Sequence, residues 1–284
     1  MTRTAIVAAF PGELKPLVQG WKHERRRSKV GAHIDLWRWR YDEGEWVAAC
    51  GGAGQNAATR ALAEIERNGP VGSVLSVGWA GALKESYEPG RAYRVFGVVD
   101  TLTNGRFRAA RFQETAAPAE AEATPKPAMA PQPAAGAPSS EPAGAGPKAP
   151  PNYNTWLATC PKVVLSGEKV GLAIDYYADL VDMEAAAVAR LAAMRGIAFH
   201  CIKGISDGVA DRLPDFNRFL TPEGEFKRVG LILFALFHPG FWPALMQMGE
   251  NSRKASQDMA RTVLELLDPQ GVIRKRNGYP NLRR

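Results

Sequence analysis

The sequence is poor in sulfur and in histidine, with three cysteines, Cys50, Cys160 and Cys201, and four histidines in 284 residues. The cysteines are widely spaced, there is no Cys-x-x-Cys, and no histidine pair stands at ligand spacing. This pattern argues against a disulfide framework and a zinc site and predicts reduced, mostly buried thiols. Neither a metal nor a cofactor is expected. Long apolar runs are also lacking. The run from Ala5 to Phe10 is broken by Pro11 and Glu13 and is too short for a signal peptide, so a cytoplasmic protein is expected. Val229 to Met246 is apolar and aromatic, but two prolines, two glycines and His238 make it a poor membrane span, which needs about 20 apolar residues. It reads as a packed C-terminal helix or a homodimer surface. The sharper reading is an interfacial patch giving weak membrane-surface association.

The net charge is +7, and it is concentrated in Lys22, Arg25, Arg26, Arg27 and Lys29 and in a basic C-terminal tail at about 270–284. No helix-turn-helix, zinc-finger or single-strand-binding pattern accompanies either cluster, so both read as solvated surface and no nucleic-acid partner is expected. Proline is unevenly spread. Ten of the 21 prolines fall between Pro118 and Pro151, in an alanine-rich stretch without periodicity. Residues 115–151 bury too little apolar surface to offset their ordering entropy and are expected to be a disordered insertion. The remaining roughly 245 residues suit a single domain.

Thr4 to Phe10 reads as a buried strand and Glu13 to Trp21 as a helix. His33 to Tyr41 and Glu45 to Cys50 read as a hairpin, and Ala57 to Arg67 as a helix. Ser73 to Val77 is expected to be a strand ending in Gly78-Trp79-Ala80-Gly81, followed by a strand over Tyr93 to Asp100. Beyond the insertion the expected elements are a strand over Lys162 to Leu165, a helix over Glu168 to Tyr177, a helix over Ala185 to Arg195 capped by Gly196, a strand over Ala198 to Ile205, and a helix over Asp258 to Leu267. Alternating strands and helices with an early hairpin predict an α/β fold with a mixed sheet.

Three acids sit at the ends of buried elements: Glu13, Glu184 and Asp207. In an α/β sheet the carboxyl ends of strands form the usual ligand crevice, so the three could share a pocket. Each alone would also suit the first turn of a helix without any chemical task. Gly52-Ala53-Gly54-Gln55-Asn56-Ala57 satisfies a loose dinucleotide fingerprint, but the next strand ends in Gly78-Trp79 rather than an acid, which disfavours a nicotinamide enzyme.

The segments Ile6 to Leu14, Gly52 to Ala58, Val77 to Leu83, Ser166 to Glu168, Val181 to Ala187 and Ile205 to Asp207 together resemble the purine nucleoside phosphorylase and uridine phosphorylase superfamily. Within it they are most similar to the 5'-methylthioadenosine/S-adenosylhomocysteine nucleosidases. The specific part is Asp182-Met-Glu-Ala-Ala-Ala187 followed by Ile205-Ser-Asp207. The resemblance implies a three-layer α/β/α sandwich and hydrolysis of the N-glycosidic bond of an adenine nucleoside such as 5'-methylthioadenosine or S-adenosylhomocysteine. Asp207 would protonate purine N7, oriented by Ser206. Glu184 would accept from the ribose 2' and 3' hydroxyls, with Met183 under the sugar, and Glu13 would deprotonate the attacking water. Gly78, Trp79, Ala80 and Gly81 would line the substrate, and Val170 takes the place of the aromatic that relatives stack on the base. Trp79 and Ala82 depart from the family pattern, narrowing the nucleophile side, and a non-standard 5' substituent, in one alternative lipid-linked, is expected. Phosphorolysis, with Lys15 and Arg60 as anion ligands, is the alternative reaction, and a non-catalytic nucleoside-binding protein the second alternative.

Overall fold

The apolar runs of the sequence form the middle of a single mixed sheet, seen in a computed structural model that describes residues 2–28, 31–41, 44–110, 154–221, 223–225, 227, 234, 236–268 and 271. Its strands run in the order β2 (Lys22–Arg27), β3 (His33–Tyr41), β4 (Gly44–Cys50), β1 (Thr2–Ala8), β5 (Ser73–Ala82), β10 (Leu180–Asp182), β9 (Trp156–Thr159), β7 (Gly97–Asp100) and β8 (Arg106–Arg108). The strand β11 (Ala198–Asp207) pairs in parallel with β5 and antiparallel with β6 (Ala92–Arg94). The expected hairpin is present as the antiparallel pair β3 and β4, while β1, β4, β5 and β11 are mutually parallel.

Strand periodicity sends alternate side chains to opposite faces and so builds three layers. Ala5 and Val7 of β1 join a core with Ala58, Leu62 and Ile65 of α2 (Gln55–Glu66) and Val188 and Ala192 of α4 (Ala185–Arg195). Ile6 and Ala8 face the other way, against Leu14 of α1 (Pro11–Leu14) and Met259, Val263 and Leu264 of α5 (Trp242–Leu267). Helix α3 (Ser166–Tyr176) covers β7, β9 and β10 through Leu172, Ala173 and Tyr176. Gly196 ends α4 in the left-handed conformation, φ 63°, as a glycine cap does.

Several elements differ from the sequence reading. The helix expected over Glu13 to Trp21 is the four-residue α1, because Pro16 has no N–H with which to continue the ladder. Strand β5 runs on through the glycine segment to Ala82. The strand expected over Tyr93 to Asp100 is two, β6 and β7, since the chain changes partners from β11 to β9 between them. Lys162 to Leu165 is not a strand. Both backbone groups of Val163 bond the Asn217 side chain, and the pairing strand is β9 upstream. The basic cluster at Lys22 forms the edge strand β2, where Arg25 pairs with Asp35 and Arg26 with Glu24 and Glu64. A charged edge resists pairing with another sheet. All three cysteines are buried and free. Among the described residues no helix is long and apolar enough to cross a membrane. The insertion at 115–151 and, Gly271 apart, the basic tail lie outside the described residues.

Candidate active site

A cavity of about 490 Å³ opens where β1, β5, β10 and β11 end, and its walls include Glu13, Glu184 and Asp207. The three acids come from chain segments far apart in sequence. Parallel pairing of β1 and β11 with β5 delivers two of them to one edge, and β10, antiparallel to the end of β5, brings the third.

Glu13 is 4% exposed. Its Oε2 accepts the N–H groups of Ala9 and Phe10 at 2.8 and 2.7 Å, and its Oε1 accepts Trp79 N–H at 2.8 Å. Burial raises its carboxyl above the ordinary glutamate range, while these N–H groups and the Lys203 charge pull the other way. Gly78 lies directly behind it, for a Cβ there would stand 2.9 Å from Oε1. The Trp79 indole donates to Ser252 O and Ser256 Oγ on α5 and packs beside Phe10, so this wall is fixed by the C-terminal helix.

Glu184 accepts Gly54 N–H at 2.7 Å, from the glycine loop that starts α2. Burial, then the neighbouring Asp182 charge, pushes its carboxyl up to about 8, against the opposing effect of Lys203 and the Gly54 N–H. Met183 lies beside it in the cavity wall. Beneath them Lys203 and Asp182 form an ion pair of 2.8 Å with side chains 1% and 0% exposed. Burial disfavours the Lys203 charge, but Asp182 and Glu184 outweigh it and hold the ammonium above the ordinary lysine value. Asp182 also accepts from Thr159 Oγ1 and from Ala185 N–H at the start of α4.

On the opposite wall Ser206 Oγ lies 2.5 Å from Asp207 Oδ1, and the second oxygen, Oδ2, is 2.5 Å from the Lys169 ammonium. Trp79, Ala80 and Gly81 line the cavity between the acids. Val170, expected against the base, is 57% exposed and outside this lining; α3 turns its neighbour Lys169 inward instead. Lys169 and Lys203 were not singled out from the sequence, and Asp182 entered only as the first residue of the Asp182 to Ala187 motif, with no role of its own. A lysine inside the apolar strand Phe199 to Ile205 was the available signal for Lys203, and a cation in the first turn of a helix, against its dipole, was the signal for Lys169.

The cations proposed for an anion site lie elsewhere. Lys15 is exposed and Arg60 donates to Glu223 O, and neither lines the cavity, in which Lys162 and Lys169 are the cations among the described residues. Most of the remaining wall is apolar, with Phe10, Val164, Leu213, Phe216, Leu220 and Met248, and Ser166 and Asp211 are its polar members. Of the Val229 to Met246 segment, the described residues Leu236, Phe237, Trp242 and Met246 are exposed, and 229–233 and 235 lie outside the described residues.

The family model of the phosphorylase superfamily matches residues 3–229. Nothing matches among curated proteins. Among solved structures, the chain is similar to futalosine hydrolase of Helicobacter pylori, with a TM-score of 0.60, 15% identity, and coverage of 94% of this chain and 98% of that one. It is similar to Arabidopsis thaliana 5'-methylthioadenosine nucleosidase, with a TM-score of 0.59, 15% identity, and coverage of 94% and 97%. S-adenosylhomocysteine nucleosidase from Streptococcus pyogenes gives a TM-score of 0.60, 13% identity, and coverage of 94% and 97%. At such identities the likeness establishes the fold.

Proposed function

The chain belongs to the phosphorylase superfamily, and from that premise we propose that it hydrolyses the N-glycosidic bond of a purine nucleoside, with adenine nucleosides such as 5'-methylthioadenosine as the first substrates to test. One observation carries the reading: Glu13, Glu184 and Asp207 open on one cavity that no arginine lines among the described residues. Breaking the bond builds positive charge on the ribose and negative charge on the base. Glu184, ionised once the ribose hydroxyls donate to it, stabilises the sugar cation. Glu13 holds the attacking water and takes its proton, its own orientation fixed by three backbone N–H groups. The Asp207 wall receives the imidazole edge of the base. A phosphorylase must gather a dianion, and a carboxylate at the Glu13 position repels one by a few kcal/mol in a partly buried site, about 4 kcal/mol at contact for each unit charge. Water is therefore the favoured nucleophile.

The apolar wall at Phe10, Phe216 and Met248 supports a 5' group that is apolar rather than charged. The test is to incubate the protein with 5'-methylthioadenosine, S-adenosylhomocysteine and adenosine, with and without phosphate, and to measure free adenine. Release independent of phosphate is expected. Release that requires phosphate would replace hydrolysis with phosphorolysis, and no release from any nucleoside would remove the enzyme assignment.

A further inference from the structure

Lys169 is a buried cation with no part in the steps given to Glu13 and Glu184. It is 1% exposed and sits in the first turn of α3, where the helix dipole disfavours positive charge. Two acceptors hold it, Asp207 Oδ2 and Gly208 O, each at 2.5 Å. An ammonium has three N–H donors, so these account for two. The backbone of Gly81 approaches the pair closely. A Cβ on Gly81 would stand 3.0 Å from Asp207 Oδ2 and 3.5 Å from Lys169 Cε, so any larger residue would fill the space beside both groups. Asp207 is held on both oxygens, by Ser206 Oγ on Oδ1 and by Lys169 on Oδ2. A carboxylate arranged in this way is an acceptor, and the group beside it with a proton to give is the ammonium.

We propose that Lys169, rather than Asp207, gives the proton to N7 of the leaving purine, while Asp207 stays ionised, positions the ammonium and accepts from the 6-amino group. The assignment rests on the nucleosidase reading. In this step the bond from C1' to N9 breaks and its electron pair enters the base, whose N7 takes a proton from Lys169 and leaves a neutral amine. Water adds to C1' and gives its proton to Glu13. Glu13 returns that proton to solvent and Lys169 regains one, so the net reaction consumes one water and releases sugar and neutral base. A donor beside an acceptor also selects the base. Adenine offers N7 as acceptor and N6 as donor, whereas a 6-oxopurine offers two acceptors and would set O6 against the Asp207 carboxylate.

The test uses the full chain and two substitutions, with adenine release from 5'-methylthioadenosine and binding of adenine against 7-deazaadenine, which lacks the N7 acceptor, as readouts. The wild type is expected to bind adenine about tenfold tighter than 7-deazaadenine, and Lys169→Met to lose the preference. Lys169→Gln keeps a hydrogen-bonding side chain beside Asp207 without a transferable proton, so kcat should fall about 100-fold or more in both variants, within the range of general-acid contributions. If Lys169→Met does not fold, kcat of Lys169→Gln decides. A variant that keeps kcat within about threefold of the wild type, or a Lys169→Met protein that keeps the preference for adenine, overturns the assignment while leaving the nucleosidase reading intact. A wild type that neither releases nor binds adenine overturns both.

Discussion

At the residue scale, the charge state of Glu184 is the most testable feature of the cavity. Its carboxyl is pushed up to about 8, first by burial and then by Asp182. If, as proposed, the ribose hydroxyls donate to its ionised form, binding a nucleoside lowers that value and releases a proton at neutral pH. Calorimetry of 5'-methylthioadenosine binding to Glu13→Gln protein, in buffers of different ionisation heat at pH 7, is expected to show the release, and adding Glu184→Gln should abolish it. The stability sign follows from the same shift. A carboxyl raised on folding favours the folded state fully below its unfolded value and loses that contribution as pH rises through about 8. The melting temperature of the empty protein should therefore fall between about pH 5 and 9, and Glu184→Gln should flatten the decline. Glu13→Gln itself should lower kcat about 10²- to 10⁴-fold while leaving adenine binding unchanged. The acids were legible in the sequence because each ends a buried run. Lys169 was not, because its partner is 38 residues away and only the packing of α3 against the end of β11 reveals it.

At the element scale, the end of β10 is clamped to the middle of β11 by the Lys203–Asp182 pair, which also fixes the start of α4 through Ala185 N–H. Removing one member of a buried pair strands the other, so Lys203→Met should destabilise the protein by about 3–5 kcal/mol in urea unfolding. A fall of less than about 1 kcal/mol would show that the site can rehydrate the orphaned acid. On the other face, β11 meets α5 at Gly204. A Cβ there would stand 2.9 Å from Ala255 Cβ and 3.1 Å from Ala255 O, which forces the helix away from the sheet. Helix α5 anchors the Trp79 indole through Ser252 and Ser256, so Gly204→Ala is expected to cost about 1–3 kcal/mol and also to raise KM. Element type was readable where apolar and polar residues alternate, as in His33 to Tyr41 of β3, and β4 followed from the turn before it although all seven of its residues are buried. It was misread at Pro16, which cannot continue α1, and at Lys162 to Leu165, where the Asn217 side chain takes both backbone groups of Val163 in place of a neighbouring strand.

At the scale of the whole molecule, the sequence implies one domain interrupted by the proline-rich residues 115–151, and the strands on either side of that break provide a way to test it. Strand β8 precedes the break and β9 follows it, and both pair with β7, on opposite sides. Gly97 of β7 faces Arg108 on one side and Trp156 on the other, so the chain leaves and re-enters at the same end of the sheet. Two strand spacings separate the exit from the entry, about 10 Å, which a few residues of extended chain span. The flanks are tied independently of what lies between them. Ala109 N–H donates to Phe96 O, Ala110 N–H to Phe199 O, and Phe96 N–H to Thr155 O. Replacing residues 115–151 with a four-residue Gly/Ser linker should therefore leave the melting temperature within about 3 °C of the full chain, because a shorter loop costs no more to close. Adenine release is expected to survive, since Glu13, Glu184 and Asp207 are each held by partners outside that stretch. A protein that melts as before but has lost release would assign the segment a part in substrate capture, whereas a large fall in melting temperature would mean that it packs on the domain and that the single-domain core extends beyond the described residues.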